Sequence, residues 1–348
     1  MLIGRAVYAL GTDPINVAQI FITNKWFQEK ELGLAMSITD ATFGLGRGLN
    51  SLITPILYDI SKSITVPMAF GAFMCIIGMV IAIIMAKWDQ KNEERELVFD
   101  EGYLAKISGE KANLSDCKYF KWIVWLLILN FTELHAYTLC FNALANDFYH
   151  VNYGFTNVEA GIIISMSFVF FAISGISIGK VIDNYGRRAT ILLYNSFLGA
   201  IGLIYFFLFP VCNRCISTVI PQILLGSQQG ISESAIYTSL PLVLEEKFLG
   251  TGFGLFFVFE NIFVFVMPPI SAYIMKRSAG EGDHGYPGML TFFFVCSLFV
   301  VIMGVMLFVE DRKQGSKLDK TITKDENEES KPSRFIELAS LKENETLF

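Results

Sequence analysis

The chain has 348 residues, 53% of them hydrophobic and 17% charged, with 32 phenylalanines, 28 glycines and a net charge of −6. A mean hydropathy of +0.48 excludes a water-soluble globular domain, which at this length needs far more polar surface to cover its core. The acidic excess sits mainly in one loop and in the tail, and no basic patch of the kind nucleic acid requires is present, so nucleic acid is excluded as a partner.

Nine apolar runs of about 20 residues follow one another, each long enough to cross a ~30 Å hydrocarbon layer. They are too long for buried strands and lack the alternation of a membrane barrel. The fold class read from them is an all-α polytopic membrane protein whose first partner is the lipid bilayer. The first run, 2–22, carries Arg5 and, near its middle, Asp13 followed by Pro14. The second, 33–57, carries Asp40 and, in "FGLGRGLNS", Arg47. A charge at the bilayer centre costs roughly 2.5–3.5 kcal/mol, so Asp13 and Arg47 are expected to face each other or a wet cavity. An Asp40–Arg47 pair at i, i+7 that merely joins two helices is the alternative. Arg5, so near the start, could snorkel to the membrane surface.

The third run, 66–86, has no charge and leads into the charged segment 87–121. The fourth, 122–143, holds Asn130, Glu133, His135 and Tyr137. Glu133 and Tyr137 share a helical face at i, i+4. Glu133 and His135 could relay protons, or each could bond a neighbouring backbone group and stay neutral. The fifth run, 160–182, ends in "GKVIDNYGRR", where Gly179, Asp183, Gly186, Arg187 and Arg188 make a tight reversal before the sixth, 189–210. Glycines allow the close approach, and Asp183 can pair with the arginines opening the next helix or cap that helix's free amides. "PVCNRCIST" places Cys212 and Cys215 in the following loop, as a strained disulfide or with no chemical role. The seventh run, 217–241, contains Gln228, Gln229, Glu233 and Tyr237, the last two again at i, i+4. Glu260 and Asn261 lie in the eighth, 252–274, and the ninth, 287–309, leads to a charged tail that reads as solvated disorder. More of these buried polar groups are expected to serve helix packing than to touch a ligand.

Lys25, Lys30, Lys180, Arg187, Arg188, Lys247 and the basic residues of 87–121 and of the tail fall on one side of the membrane, against Lys62, Arg214, Lys276 and Arg277 on the other. The positive-inside rule puts the 87–121 segment and the C-terminus in the cytoplasm. No zinc-spaced His/Cys set or phosphate-binding glycine loop is present, so neither enzyme chemistry, a metal site nor a cofactor is expected. N-x-S/T occurs at Asn113, Asn130 and Asn344, all cytoplasmic or within a run, and no N-glycan is expected.

The spacing G-x-x-x-D-x-x-G-R-R resembles the signature loop of the major facilitator superfamily, found between helices 2 and 3 and again between helices 8 and 9. Five runs precede the motif here and four follow it. Gly4 and the "RAVYALG" after it, with Arg5 and Gly11, resemble the superfamily's helix-4 signature, and "FLGTGFGLFF" resembles the opening of helix 11. This resemblance implies that the nine runs are equivalent to superfamily helices 4–12. Residues 1–86 would be the remnant of an N-terminal helical bundle (helices 4–6), 87–121 a cytoplasmic central loop, 122–309 a C-terminal six-helix bundle and 310–348 a disordered cytoplasmic tail. Met1 would then be an internal methionine of a longer protein.

Within the superfamily, "RAVYALGTDPINVAQ", "WDQKNEER" and "LPLVLEEKFLGTGFG" are similar to the lysosomal dipeptide-transporter family. That likeness implies a secondary transporter of dipeptides or amino-acid-like zwitterions across the lysosomal membrane by alternating access, with a heavily glycosylated accessory membrane subunit. The family binds substrate through an acid in helix 4 and an arginine in helix 5. Asp13 matches the acid. Arg47 is displaced by one turn, about 4.5 Å, from the position of the family's arginine, which falls on Gly44. The substrate-binding set read this way is Asp13, Arg47, Glu133, Tyr137, Glu233 and Tyr237, with Tyr237 standing where the family has a Trp. Arg5 and His135 are candidates for coupling. The competing expectations are a transport-inactive truncated membrane protein or incomplete gene model and, within the superfamily, a sugar or organic-anion carrier.

Overall fold

The computed structural model describes residues 32–96, 114–209, 212–245, 248–280 and 284–320, together with residues 11, 14–16, 18–20, 23 and 27. The expectations placed on Arg5 and Asp13 therefore lie outside the described residues. Within the described residues all regular structure is helical, and eight α-helices are described from end to end: α1 Leu32–Ser61, α2 Thr65–Glu96, α3 Trp122–Tyr153, α4 Asn157–Tyr185, α5 Arg188–Leu208, α6 Val219–Val243, α7 Leu249–Ser278 and α8 Tyr286–Lys313. Each falls on one of the second to ninth apolar runs.

The helix ends follow local chemistry. Gly154, at φ 67°, ends α3, a left-handed conformation that glycine adopts without a Cβ penalty. A full capping box then starts α4: Thr156 Oγ1 accepts from the Glu159 amide at 3.3 Å, and Glu159 accepts from the Thr156 amide at 2.8 Å. The reversal from α4 to α5 puts Gly186 and Arg187 at φ 66° and 52°. A Cβ on Gly186 would also press on the Lys320 carbonyl at 2.6 Å, so this position has room for glycine alone.

Six of the eight helices are long and apolar enough to cross a membrane, whereas α1 and α6 are too polar to qualify by composition. Asp40, Arg47 and Asp59 make α1 polar, and Gln222, Gln228, Gln229 and Glu233 do the same for α6. Such residues are tolerable at membrane depth only if they face protein or water. The packing obeys this. All the side chains just named on α6 are buried, and α6 lies against α4 and α5 with α3 beside it. In the membrane-crossing part of α3, 83% of the residues are buried; in α2, none is.

Small residues set the closest helix approaches. Along α4 and α6, Gly226 meets the Ser167 backbone and Gly230 the Phe171 carbonyl. Along α1 and α4, Gly33 meets the Gly179 carbonyl, Gly44 the Phe171 ring and Gly48 Phe168.

Both polar segments differ from expectation at their edges. The helix of the third run continues through Glu96, and Leu114–Tyr119 form a 3-10 turn. The tail does not begin as solvated disorder at 310. Glu310–Lys313 complete α8, and the chain then folds back to residue 320 along the α4–α5 turn. Asp319 holds this return: its carbonyl accepts from the Arg187 amide at 3.2 Å, and its carboxylate accepts from the amide and hydroxyl of Thr190 at 3.2 and 2.7 Å. The amides of the first turn of α5 are without intrahelical partners, and an acid at that N-terminus is favoured by the helix dipole. Composition alone could not show that need.

Candidate functional site

The residues that carry chemistry gather along α1. At its N-terminal end the structure is closed. The Asp183 carboxylate accepts from the amides of Gly33 and Leu34 at 2.8 and 2.9 Å, so it caps α1 rather than the following α5. Ser37 Oγ bonds the Gly33 carbonyl and Ser234 Oγ of α6, both at 2.6 Å. Gly179 sits against the Gly33 backbone and the Ser37 hydroxyl with no room for a methyl group. Two residues of the sequence motif, Gly179 and Asp183, thus bind α4 to α1. The two arginines divide their work. Arg187 supplies the turn, and its amide meets the tail. Arg188 is buried, with Nε 3.4 Å from Thr238 Oγ1 of α6 and Nη1 3.3 Å from the Lys320 carbonyl.

Two turns further along α1, charged groups from four helices converge. His135 of α3 lies with Nδ1 2.8 Å from Glu260 Oε1 of α7 and Nε2 3.9 Å from Glu233 Oε1 of α6. Gln229 Nε2 donates to Glu233 Oε1 at 3.1 Å. Asp40 and Arg47 of α1 are electrostatic neighbours of Glu233, and all of them surround Tyr237. The Tyr237 ring packs on Phe131 and edge-on to Phe256, forming an aromatic wall. Buried acceptors remain open here: Asp40 Oδ2 and Glu260 Oε2 have no hydrogen-bond partner among the described residues. A buried carboxylate oxygen without a donor is costly, so a ligand, a proton or water is needed to satisfy it.

Beyond the cluster, the other end of α1 opens. A cavity of about 220 Å³ is bounded by Arg47, Asn142, Leu139 and Phe168. It shares Asn50, Ser51, Asn142, Ala143 and Ile164 with a larger cavity of about 820 Å³ that reaches Tyr58 and Pro67, where α1 turns into α2. Arg47 stands at the inner limit of this space with its guanidinium 4.2 Å from the Phe43 ring centre. The one-turn displacement of the arginine now has a physical reason. At Gly44 a Cβ would collide with the Phe171 ring, so that position faces α4 and has no room for a long side chain. Position 47 faces the cavity.

The structure brings Arg47, His135, Glu233 and Tyr237 together and adds Asp40 and Glu260, which by sequence alone read as a helix-joining partner and a packing residue. Glu133 and Tyr137 are placed elsewhere. Glu133 bonds Cys296 of α8, and Tyr137, fully buried, donates to Gln228 Oε1 at 2.6 Å. Gln228 is in turn tied to Asn195 by two bonds of 2.9 and 3.3 Å. A Glu133–His135 relay does not form, because residues two apart point to opposite sides of a helix. The carboxylates that His135 meets come from α6 and α7 instead. Cys212 and Cys215 are joined as a disulfide. Between them, Arg214 donates from its amide to the Tyr153 carbonyl at 2.8 Å and lies 3.7 Å from Glu159, pinning this loop to the α3–α4 turn.

A cation at the floor of a cavity beside a net-acidic buried cluster is suited to hold a small dipolar solute. The chain is 24% identical to the lysosomal dipeptide transporter MFSD1 of Bos taurus over 335 residues, 94% of this chain and 68% of the relative. Against the Homo sapiens protein of that name it is 24% identical over 329 residues, 92% and 67%. Against the Danio rerio one it is 25% identical over 323 residues, 89% and 66%. The chain thus spans about two thirds of the length of these relatives. The Major Facilitator Superfamily model matches residues 1–139 and again residues 126–347. This polytopic helical membrane protein therefore belongs to the major facilitator superfamily of transporters.

Proposed function

We propose that the protein is a secondary transporter of small zwitterions, dipeptides first among them, working by alternating access across the lysosomal membrane. The observation that carries this reading is the placement of Arg47 at the cavity floor as an electrostatic neighbour of the Asp40 and Glu233 carboxylates. A guanidinium pairs with a carboxylate bidentately, and carboxylates pair with an ammonium, so the two halves of a dipeptide backbone each find a counter-charge. Asp13 remains the family's candidate for the ammonium group and joins this proposal on the likeness to dipeptide transporters. His135, between two acids, is the candidate for a proton-linked step, and Arg5 is a further one from the same likeness.

In this reading the end closed by Asp183, Gly33 and Gly179 faces the cytosol, with the C-terminus, and the cavity faces the lumen. Transport exchanges which end is open while the site stays near mid-membrane. Residues 1–86 act as part of the N-terminal bundle and 122–309 as the C-terminal bundle, joined by the 87–121 loop. A glycosylated accessory subunit on the luminal face is part of the same proposal, carried only by the sequence resemblance to the dipeptide-transporter family.

The test is uptake of labelled L-Ala-L-Ala by the full chain in proteoliposomes. Saturable uptake that unlabelled dipeptides compete away and glucose does not, and that Arg47→Ala removes, supports the proposal. Uptake absent in the wild-type chain, or competed equally by glucose, sinks it.

A further inference from the structure

The segment that follows α8 is built into the protein rather than laid over it. Leu318 is fully buried and belongs to the same apolar core as Ile182 of α4 and Leu192 of α5. Its amide donates to Asp311 Oδ1 at 2.9 Å, and its carbonyl accepts from the Arg188 amide at 3.2 Å. Arg312 Nη2 of α8 lies 3.1 Å from Asp319 Oδ2. With the bonds of Asp319 to Arg187 and Thr190, three amides at the start of α5 find their acceptors on this return.

Two bonded routes lead from the return to the first turns of α1. One runs through the α4–α5 turn. Asp319 fixes Arg187 and Thr190, and Asp183, just before the turn, caps the amides of Gly33 and Leu34. The other runs through α6. The Lys320 carbonyl holds Arg188 Nη1, and Arg188 Nε reaches Thr238 Oγ1. Thr238 Oγ1 donates to the Ser234 carbonyl at 2.9 Å, and Ser234 Oγ meets Ser37 Oγ of α1. A run of contacts means coupling only where both of its ends bias one two-state element. Here that element is the N-terminal end of α1, either closed on α4 or parted from it.

We propose that the return at 314–320, with Asp319 as its positioning residue, keeps the closed end of α1 shut through the α4–α5 turn. Asp319 acts on the turn from which Asp183 reaches α1. Freeing the return loosens that turn, weakens the cap and moves the balance toward the parted state. This rests on the alternating-access reading for its effect on uptake, and its test is independent of any solute.

The experiment reads the distance between spin labels on Ile38→Cys of α1 and Lys180→Cys of α4, both exposed positions. It uses the purified full chain with Cys75 and Cys117 replaced by serine and no solute added. Asp319→Asn keeps the shape and removes the charge, and is expected to raise the parted population about fivefold. Thr190→Val removes one hydroxyl donor and is expected to raise it about twofold; it carries the test if Asp319→Asn does not fold. Asp319→Glu, which keeps the carboxylate, is expected to recover part of the closed population. A double-mutant cycle adds a readout that a merely structural role would not move. In a chain already carrying Asp183→Asn the cap is gone, so Asp319→Asn should then change the population by less than about twofold.

Unchanged distances in both single variants, or the same fold-change with and without Asp183, overturn the inference. If the populations shift as stated but the wild-type chain takes up no L-Ala-L-Ala, the return keeps its role and the dipeptide reading falls. If uptake is dipeptide-specific and the populations ignore Asp319, the transporter reading stands and this inference falls.

Discussion

The two ends of α1 have different surroundings, although α1 packs on α4 at both, with Gly161 against the Ser51 carbonyl at the far end. At its N-terminal end α1 meets α4 through glycines and a buried cap: Gly33 against Gly179, with Asp183 on the amides of Gly33 and Leu34. At its C-terminal end α1 borders a cavity lined by neutral amides and hydroxyls, Asn50, Thr54, Tyr58, Asn142, Asn146 and Asn157 among them. The closed end is held by a few short, specific contacts, each replaceable by water when the helices part. The open end offers polar groups of no net charge, which wet easily and do not trap a passing ion. Between them lies the charged cluster. A carrier needs such a difference, because the ends must exchange states at modest energy cost while the site keeps its charges paired.

The largest way to break the contrast is at the closed end. Gly179→Leu places a side chain on the Gly33 backbone and the Ser37 hydroxyl. Overpacking of this kind costs about 3 kcal/mol, so the end should stay parted, with a lower melting temperature and no uptake. Asp183→Asn is milder. It keeps the shape but removes a charge-assisted cap worth about 2 kcal/mol, enough to shift an open–closed balance by more than tenfold. Distances between labels on α1 and α4 at that end should lengthen.

At the floor of the open end, Arg47→Lys keeps the charge but loses the bidentate fork. The expected outcome is a rise in KM of about tenfold for L-Ala-L-Ala, with the protein folded and the closed end unaffected. Smallest of all, Cys212→Ser opens the disulfide beside the α3–α4 turn but leaves Arg214 on the Tyr153 carbonyl. So short a loop contributes no more than about 2 kcal/mol of stability, and uptake should change by less than twofold.

Much of this was legible in the sequence. Apolar length marks out the eight described helices, and the G-x-x-x-D-x-x-G-R-R spacing locates the α4–α5 turn with Gly186 at positive φ. Arg47, His135, Glu233 and Tyr237 stand out because polar groups inside apolar runs are costly. What stays hidden depends on which helix lies opposite. In sequence Asp183 reads as serving its own turn, yet the open amides nearest to it belong to α1, about 150 residues earlier in the chain. Glu133 looks the equal of Glu260, but only the rotation of α3 decides that His135 faces α7. Asn142 carries no signal at all, since a lone Asn in an apolar helix gives no hint that it is bonded to Gln222 of α6. Arg5 and Asp13, with the clearest sequence claims, lie outside the described residues.

The central claim is that one site is reached from one end at a time. Side-specific thiol labelling tests it most directly, in the full chain with Cys75 and Cys117 replaced by serine and sealed in vesicles. Asn50→Cys reports the open end and Ser37→Cys the closed one. The account predicts that an impermeant maleimide reacts with position 50 and not with position 37 before ligand is added. L-Ala-L-Ala should then slow labelling at 50 and, applied with the reagent on the opposite face, speed it at 37. Labelling of both positions from the same face, or rates at both that ignore the dipeptide, would contradict it.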